Sequence, residues 1–379
     1  NSGGSMPFTI EQVDTASQLR EFIDLPFRLY RDDPYWVPPV KYFQKELFDR
    51  KKHPFHEHSD VTVFLARNGE GKPAGRIVSI VNHVHNDYHT EKTGFFGFLE
   101  GEQDEELFSL LLSAAEDKLR ASGMETVRGP MNFSTNEECG LLVRGFDSCP
   151  LIMMTYNPSW YKDMLEVAGY GKLKDLFAYY LDSDLLDYSK ISRVANLVLK
   201  RTDAGIRNIS VKHIHREVPV IMDIYNECWE DNWGFVPMTQ REMDMMADEL
   251  KMIMVPKLAP LVEVNGEPVA FAISLPDANQ AFKRAGGNLM KAVLALKAPL
   301  FRTRIDQVRV MLLGVRKAFR GRGLEALLID RVISSSIEMG MGRGELSWIL
   351  EDNMPMRKIL ENDLNADPYR IYRIYQKNL

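Results

Sequence analysis

An apolar run, Val308 to Val315, gives way to Arg316-Lys-Ala-Phe-Arg320-Gly321-Arg322-Gly323, and a helical pattern opens at once with Leu324. Glycines cost backbone entropy, so a pair of them marks a place where something must come close to the main chain. Successive backbone N–H groups at a helix N-terminus form a cradle for an anion, and Arg320 and Arg322 add charge to it. The chemistry implied is the holding of a phosphate or pyrophosphate. A glycine-rich connection with solvated arginines is the bland alternative, and the flanking strand and helix weigh against it.

Other polar groups cluster in two places. The stretch Gly129–Pro150 begins at a strand end, where open α/β sheets place their ligands. It crowds Asn132, Ser134, Thr135, Asn136, Glu137 and Glu138 into one loop. Asn132, Ser134, Asn136 and Glu137 are expected to touch substrate, although loops are often polar for solvation alone. The second cluster, Glu351-Asp-Asn353, closes a strand predicted over Glu345–Leu350. His53, His56 and His58 lack companion carboxylates or cysteines in a ligand pattern, so no metal is expected. His83 and His85 alternate as on one face of a strand. Cys139, Cys149 and Cys228 show no metal-type spacing.

The elements that must position these groups occur twice. Gly97–Met124 and Gly314–Met341 align without gaps, pairing Leu107 with Leu324, Leu111 with Leu328 and Gly123 with Gly340. Upstream, the stretches from Tyr30 and from Trp229 share an Asp and a Val-Pro pair. Downstream, the stretches from Asn157 and Asn353 each read as a helix followed by a tyrosine-rich strand. Three matches in one order argue for two copies of one fold. Each copy is predicted to open with a strand, Phe8–Val13 and Ile209–Ile214, followed by helices. Hairpins with turns at Arg67–Pro73 and Val264–Pro268 come next, then a fourth strand, a long helix, a fifth strand, a short helix and a last strand. The long helices, Glu105–Ser122 and Leu324–Met339, end before glycines suited to a left-handed cap. The domains are therefore drawn as 6–183 and 206–379, with a linker at 184–205.

The copies differ where it matters. Gly321-Arg-Gly323 stands opposite Asp104-Glu-Glu106, with Glu100 and Glu102 just before. Such carboxylates repel a phosphate, so only the second copy is expected to bind one. Its insertion Ala281–Arg304 reads as a basic amphipathic helix, which can rest on an anionic membrane, line a channel for a long chain, or simply pack.

Composition bounds the partners. The chain has 379 residues, 45% of them hydrophobic, and a formal net charge of -6. That balance argues against nucleic acid. No apolar run reaches the roughly 20 residues of a membrane span, and a cytoplasmic protein, with a peripheral place at the inner membrane left open, is expected. Asn1–Ser5 before Met6 reads as an expression remnant. Oligomeric state is not legible.

The strand–loop–helix with Arg320, Gly323 and Glu325 at marked positions resembles the GCN5-related N-acyltransferase (GNAT) superfamily, whose loop reads Gln/Arg-x-x-Gly-x-Gly/Ala. It departs at Glu325, where that superfamily has a small residue. The stretches "TGFFGF", "GPMNFSTNEECGLL", "MMTYNPSWY" and "GVRKAFRGRG" resemble a bacterial group of tandem acyltransferase-like proteins that includes bacterial ceramide synthases. The resemblance implies an α/β (α+β) fold of two tandem GNAT-like domains, each a mixed, mainly antiparallel sheet flanked by helices. It implies an acyl-CoA cosubstrate and an amine acceptor, such as a long-chain sphingoid-type amine. Leu313, Gly314 and Val315 would hold the thioester, Arg320, Gly321, Arg322, Gly323 and Leu324 the pyrophosphate, and Asn353 would stand for the superfamily's conserved Asn. Glu351 or Glu138 would serve as base. The usual acid, a Tyr seven residues after that Asn, is Leu360 here, and Tyr372 is the substitute. Two other readings are a non-catalytic acyl-CoA sensor and a transferase using tRNA-borne substrates, the latter opposed by the acidic balance.

Overall fold

Turn and cap chemistry frames the elements. The computed structural model describes residues 8–298 and 303–379. The Asn1–Ser5 remnant and the 299–302 stretch of the predicted insertion helix lie outside them. From the N-terminus run β1 (Thr9–Gln12), α1 (Ala16–Leu29), α2 (Lys41–Leu47), β2 (Ser59–Arg67), β3 (Pro73–Asn82), α3 (His83–His89), β4 (Thr93–Gly101), α4 (Glu105–Ala121) and β5 (Thr126–Gly129). Short β6 (Met131–Asn132), β7 (Glu138–Cys139) and β8 (Leu141–Arg144) precede α5 (Tyr161–Val167) and β9 (Gly171–Asp182). Then come α6 (Ser189–Arg201), β10 (Ala204–Asn208), α7 (Ile214–Trp229), α8 (Gln240–Ile253), β11 (Pro260–Val264) and β12 (Glu267–Pro276). The chain finishes with α9 (Asn279–Ala285), α10 (Leu289–Lys297), β13 (Gln307–Val315), α11 (Leu324–Glu338), β14 (Arg343–Leu350), α12 (Met354–Lys358) and β15 (Pro368–Asn378).

The local signals hold where they rest on backbone geometry. Asn265 and Gly266 take φ of 54° and 78° in the turn between β11 and β12, as a tight hairpin requires. Gly123 and Gly340, at φ of 79° and 77°, follow the ends of α4 and α11 in the left-handed region. Both α1 and α7 carry an internal proline, Pro26 and Pro219, and each is the α-helix that follows an edge strand, β1 and β10.

Two units result. One comprises Asn1–Asp175, Ala281–Arg302 and Ile371–Leu379, the other Leu176–Gln280 and Thr303–Arg370. The first holds the strand order β1-β2-β3-β4-β5-β15, and the second β9-β14-β13-β12-β11-β10. In each, the one parallel step, β4 with β5 and β13 with β14, sits among antiparallel neighbours. Each sheet has its own apolar core. Leu107, Leu111, Leu119 and Phe108 of α4 fill the first, and Leu324, Leu327 and Leu328 of α11 the second. The last strand of each copy serves the other unit. Tyr375–Asn378 of β15 pair with β5, while Leu176–Asp182 of β9 pair with β14.

The units therefore interleave in sequence, unlike contiguous halves at 6–183 and 206–379. The 184–205 stretch is no linker but carries α6, whose Ile191, Ala195 and Val198 are buried in the second unit's cores. The strand predicted over Ile209–Ile214 is a short 3-10 turn entering α7, and β10 just upstream takes the edge place beside β11. His83 and His85 lie on a helix, because Asn82 caps it by accepting from His85 N–H. The insertion helix is two helices, broken at Gly286 and Gly287 with φ of 56° and 86°.

Candidate active site

The second unit's site begins where two strands part. β13 and β14 pair in parallel from Gln307 with Arg343 only as far as Val310 with Leu346. Beyond that, β14 keeps the β9 partner it has had since Arg343, pairing Ile349 with Phe177, and β13 keeps only its β12 partner. A bulge at Met311 marks the departure, since Ile273 faces Leu312 but Ser274 faces Val310; bulges bend a strand in this way. Met311–Leu313 and Trp348–Leu350 are half-buried along the two arms. A wedge bordered by apolar side chains and one free strand edge is left between them.

A polar clamp fixes the fork. Buried Arg309 donates from Nε to Ser347 Oγ at 2.9 Å, and Ser347 Oγ donates to Glu345 Oε1 at 2.5 Å. Arg309 stands directly opposite Glu345 in register, and Tyr369 donates its hydroxyl to the same carboxylate. Buried charges need such complete pairing, and here it ties the arms together at the last point before they diverge. Sequence reading missed this group. Its signal is a charge inside each apolar strand, Arg309 and Glu345.

The loop after β13 leads straight into α11. Gly321 and Gly323 take φ of 74° and 81°. Gly323 is the N-cap residue of α11 and makes no side-chain cap, which leaves the first N–H groups of the helix without that partner and suited to an anion. A Cβ at Gly321 would meet nothing within 4 Å, whereas one at Gly323 would lie 2.8 Å from Val198 of α6. Gly321 thus faces open space, and Gly323 is required by packing. Arg320 is exposed but folds back on the main chain, with Nε donating to Val315 O at 3.2 Å. Arg322 lies over the Phe319 ring and is exposed. Arg316 is held by Asp223 and Glu227, and Lys317 by Glu230 and Asp231. Gly314 admits the Trp229 ring, which a Cβ there would strike at 2.6 Å. Cys228 Sγ donates to Val315 O at 3.2 Å, and burial pushes its thiol up despite Arg320.

The first unit has the same fork, closed. β4 and β5 pair from Thr93 to Phe95 and then part. The loop after β5 fills the gap: a Cβ at Gly97 would lie 1.7 Å from Met131 O, and Asn132 Oδ1 accepts from Phe98 N–H at 2.8 Å. Phe133 packs against Phe48, Phe55, Phe98, His53 and His56. At the helix end, Asp104 caps α4 by accepting from Leu107 N–H at 3.0 Å. Glu100 is half-buried against Tyr30 and Tyr161, which each donate to it at 2.7 Å, and desolvation pushes its carboxyl up against the pull of Arg76.

The sequence-predicted residues separate accordingly. Leu313, Gly314, Val315, Arg320, Gly321, Arg322, Gly323 and Leu324 all lie along the fork and loop of the second unit. Asn353 sits in that unit as the cap of α12, accepting from Met356 N–H at 3.3 Å, and Glu351 lies half-buried in the turn before it. Asn132, Ser134, Asn136 and Glu137 belong to the first unit's plug. Ser134 Oγ accepts from Asn136 N–H, and Glu137 accepts from Phe133 N–H at 2.6 Å with His53 Nε2 3.3 Å away. Glu138, on β7, is also in the first unit, opposite Asn132. Tyr372 is fully buried and belongs to the first unit. Leu360 is fully buried in the second unit's core, within a π-helical turn after α12.

Beside this geometry stand the comparisons. The chain is 35% identical over 379 residues to "Bacterial ceramide synthase" of Caulobacter vibrioides, covering 97% of this chain and 96% of that one. It is 32% identical over 373 residues to "Protein YghO" of Escherichia coli, covering 96% and 93%. No family model matches it. Among solved structures, a tandem GNAT protein from the clavulanic acid biosynthesis pathway superposes with a TM-score of 0.58 at 11% identity, over 98% of both chains. That last likeness speaks for the fold, and it agrees with two units that each fork one parallel strand pair. The chain belongs to the family of tandem GNAT-fold acyltransferases that includes bacterial ceramide synthase.

Proposed function

We propose that the chain is an acyl-CoA-dependent N-acyltransferase that binds its cosubstrate in the second unit and acylates a long-chain amine of the sphingoid class. One observation carries the reading. An uncapped, glycine-led helix end stands beside a forked strand in the second unit, while the first unit's fork is plugged and its helix end capped by Asp104. Gly321 to Leu324 and the following turn of α11 would hold the pyrophosphate, and the free edge of Met311–Val315 would hold the pantetheine and thioester. The relative named as a ceramide synthase supports the long-chain amine.

The reaction needs little covalent help. The amine nitrogen attacks the thioester carbonyl, a C–N bond forms, the oxyanion is stabilised by main-chain N–H donors, and the C–S bond breaks. The ammonium must first lose a proton, and Glu351 beside the fork is the base proposed. The nitrogen gives up a second proton as the tetrahedral intermediate collapses, and of the two released one leaves on the thiolate as the CoA thiol and the other passes to solvent. With Leu360 and Tyr372 both buried, no tyrosine of the usual kind assists that departure. This favours, as the second reading, a chain that binds acyl-CoA without turning it over.

Full-length protein incubated with acyl-CoAs of rising length and a sphingoid-type amine decides between them. The first reading predicts free thiol and amide in equal amounts. CoA binding with no thiol release on any amine would establish the sensor instead, and no CoA binding would defeat both.

A further inference from the structure

An exposed apolar face with a basic rim lies in the first unit. On α10, Met290, Val293 and Leu294 are 67%, 43% and 39% exposed, while Ala292 and Ala295 point inward and are buried. With Lys297 they recur at helical spacing, forming one outer stripe. On α2, Tyr42 and Phe43 are also exposed. The two helices start side by side. Lys41 N–H donates to Gly287 O at 3.0 Å, and Val40 packs against Ala285, Ala292 and Leu289.

Charge follows the apolar groups. Between Asp277 and Asp306 the sequence has Lys283, Arg284, Lys291, Lys297, Arg302 and Arg304 but no Asp or Glu. Over residues 41–52 it has Lys41, Lys45, Arg50, Lys51 and Lys52 against Glu46 and Asp49. Lys41 is paired with Asp24 and Lys52 with Glu46, while Lys45, Lys291 and Lys297 are exposed. This local excess runs against a chain whose net charge is -6.

We propose that this face docks on an anionic phospholipid bilayer. The α10 stripe and the α2 aromatics enter the headgroup boundary, and Lys45, Lys291 and Lys297 meet lipid phosphates. A short helix with an apolar face and flanking lysines binds in this way, through buried apolar area plus attraction to anionic lipid. A second copy is a poorer occupant, because two such faces brought together would set like charges against each other. The proposal rests on exposure and charge alone, independently of the acyltransferase reading.

Co-sedimentation of the full chain with vesicles tests it. Phosphatidylcholine vesicles containing phosphatidylglycerol should carry the protein down, pure phosphatidylcholine should do so weakly, and salt should release it. Met290→Glu/Leu294→Glu and Lys291→Glu/Lys297→Glu should each weaken binding by about tenfold or more. All four positions are exposed or rim positions, and circular dichroism checks that the variants fold; the lysine pair stands as the control should the apolar pair not. Binding indifferent to phosphatidylglycerol would overturn the proposal. So would folded variants that bind like the parent, or a dimer broken by Met290→Glu/Leu294→Glu with vesicle binding unchanged.

Discussion

Gly321 and Gly323 look alike in sequence and do different work. A side chain at Gly321 projects into open space, so Gly321→Asp should weaken CoA binding at least about tenfold through a repelling charge, with a stability loss of only about 1 kcal/mol for a non-glycine residue at a φ of 74°. Gly323→Asp meets Val198 of α6 and should lower the midpoint further. Calorimetry and thermal unfolding on the two variants separate these outcomes. The arginines divide likewise. Arg320→Ala removes a bond to Val315 O and should cost about 1 kcal/mol of stability. Arg322→Ala should weaken CoA binding only at low salt, since its charge is exposed. The types and spacing of these residues were legible because an anion cradle needs a fixed local pattern. Which glycine faces open space and which packs was not, because α6 is distant in sequence.

His85 illustrates the same limit. Burial depresses its imidazole from the ordinary 6.5 to about 4, with His89 adding to the effect and Glu91 opposing it. The native state therefore binds fewer protons than the unfolded chain between those values, so stability falls as pH drops from about 6.5 to 4. The loss should reach roughly 3 kcal/mol. His85→Gln should remove about one proton from that slope in urea unfolding followed against pH. An unchanged slope would place the titration elsewhere. Alternation of His83 and His85 gave no warning of this burial, since Asn82 turns the chain into a helix just there.

At the scale of elements, the second loop is longer than the gap-free repeat implies. From the last parallel pair to the first helical residue the chain runs Phe95 to Glu105 in the first unit and Val310 to Leu324 in the second, a difference of four residues. Matching leucines and capping glycines conceal it, because the core face of each helix repeats while the loop between does not. The proposal that the first unit binds no CoA rests in sequence on its carboxylates and in structure on the plug of Asn132 and Phe133, which comes from a loop that reads as a substrate site. Asp104→Ala should cost about 1 kcal/mol as a lost cap without creating a second site. Calorimetry should still give one CoA per chain, and a stoichiometry of two would show that the cap alone had closed it.

For the whole molecule, the two copies were legible as repeats, but the exchange of last strands was not. Tyrosine-rich strands end both copies, and nothing local says which sheet each joins. No single cut through the chain therefore yields a complete unit. Residues 206–379 lack both β9, which pairs with β14, and α6, which packs on α11. That fragment should be poorly folded and bind no CoA. Deleting Ile371–Leu379 should likewise abolish cooperative unfolding of the first unit, because Tyr375 is part of its core. A soluble, CoA-binding 206–379 fragment would contradict the exchange.

The exchange also imposes an order on the chain's birth. A polypeptide emerges from the ribosome N-terminus first, and domains generally fold as they appear. Here the first unit cannot receive its closing strand until Ile371–Leu379 have been made, so its β5 edge stays unpaired through the synthesis of nearly everything else. An exposed edge is a template for wrong partners, and the nascent protein should lean on chaperones more than a pair of independent domains would. Ribosome-bound chains stalled before and after that last segment, probed by limited proteolysis, should show protection of the first unit appearing only in the longer one.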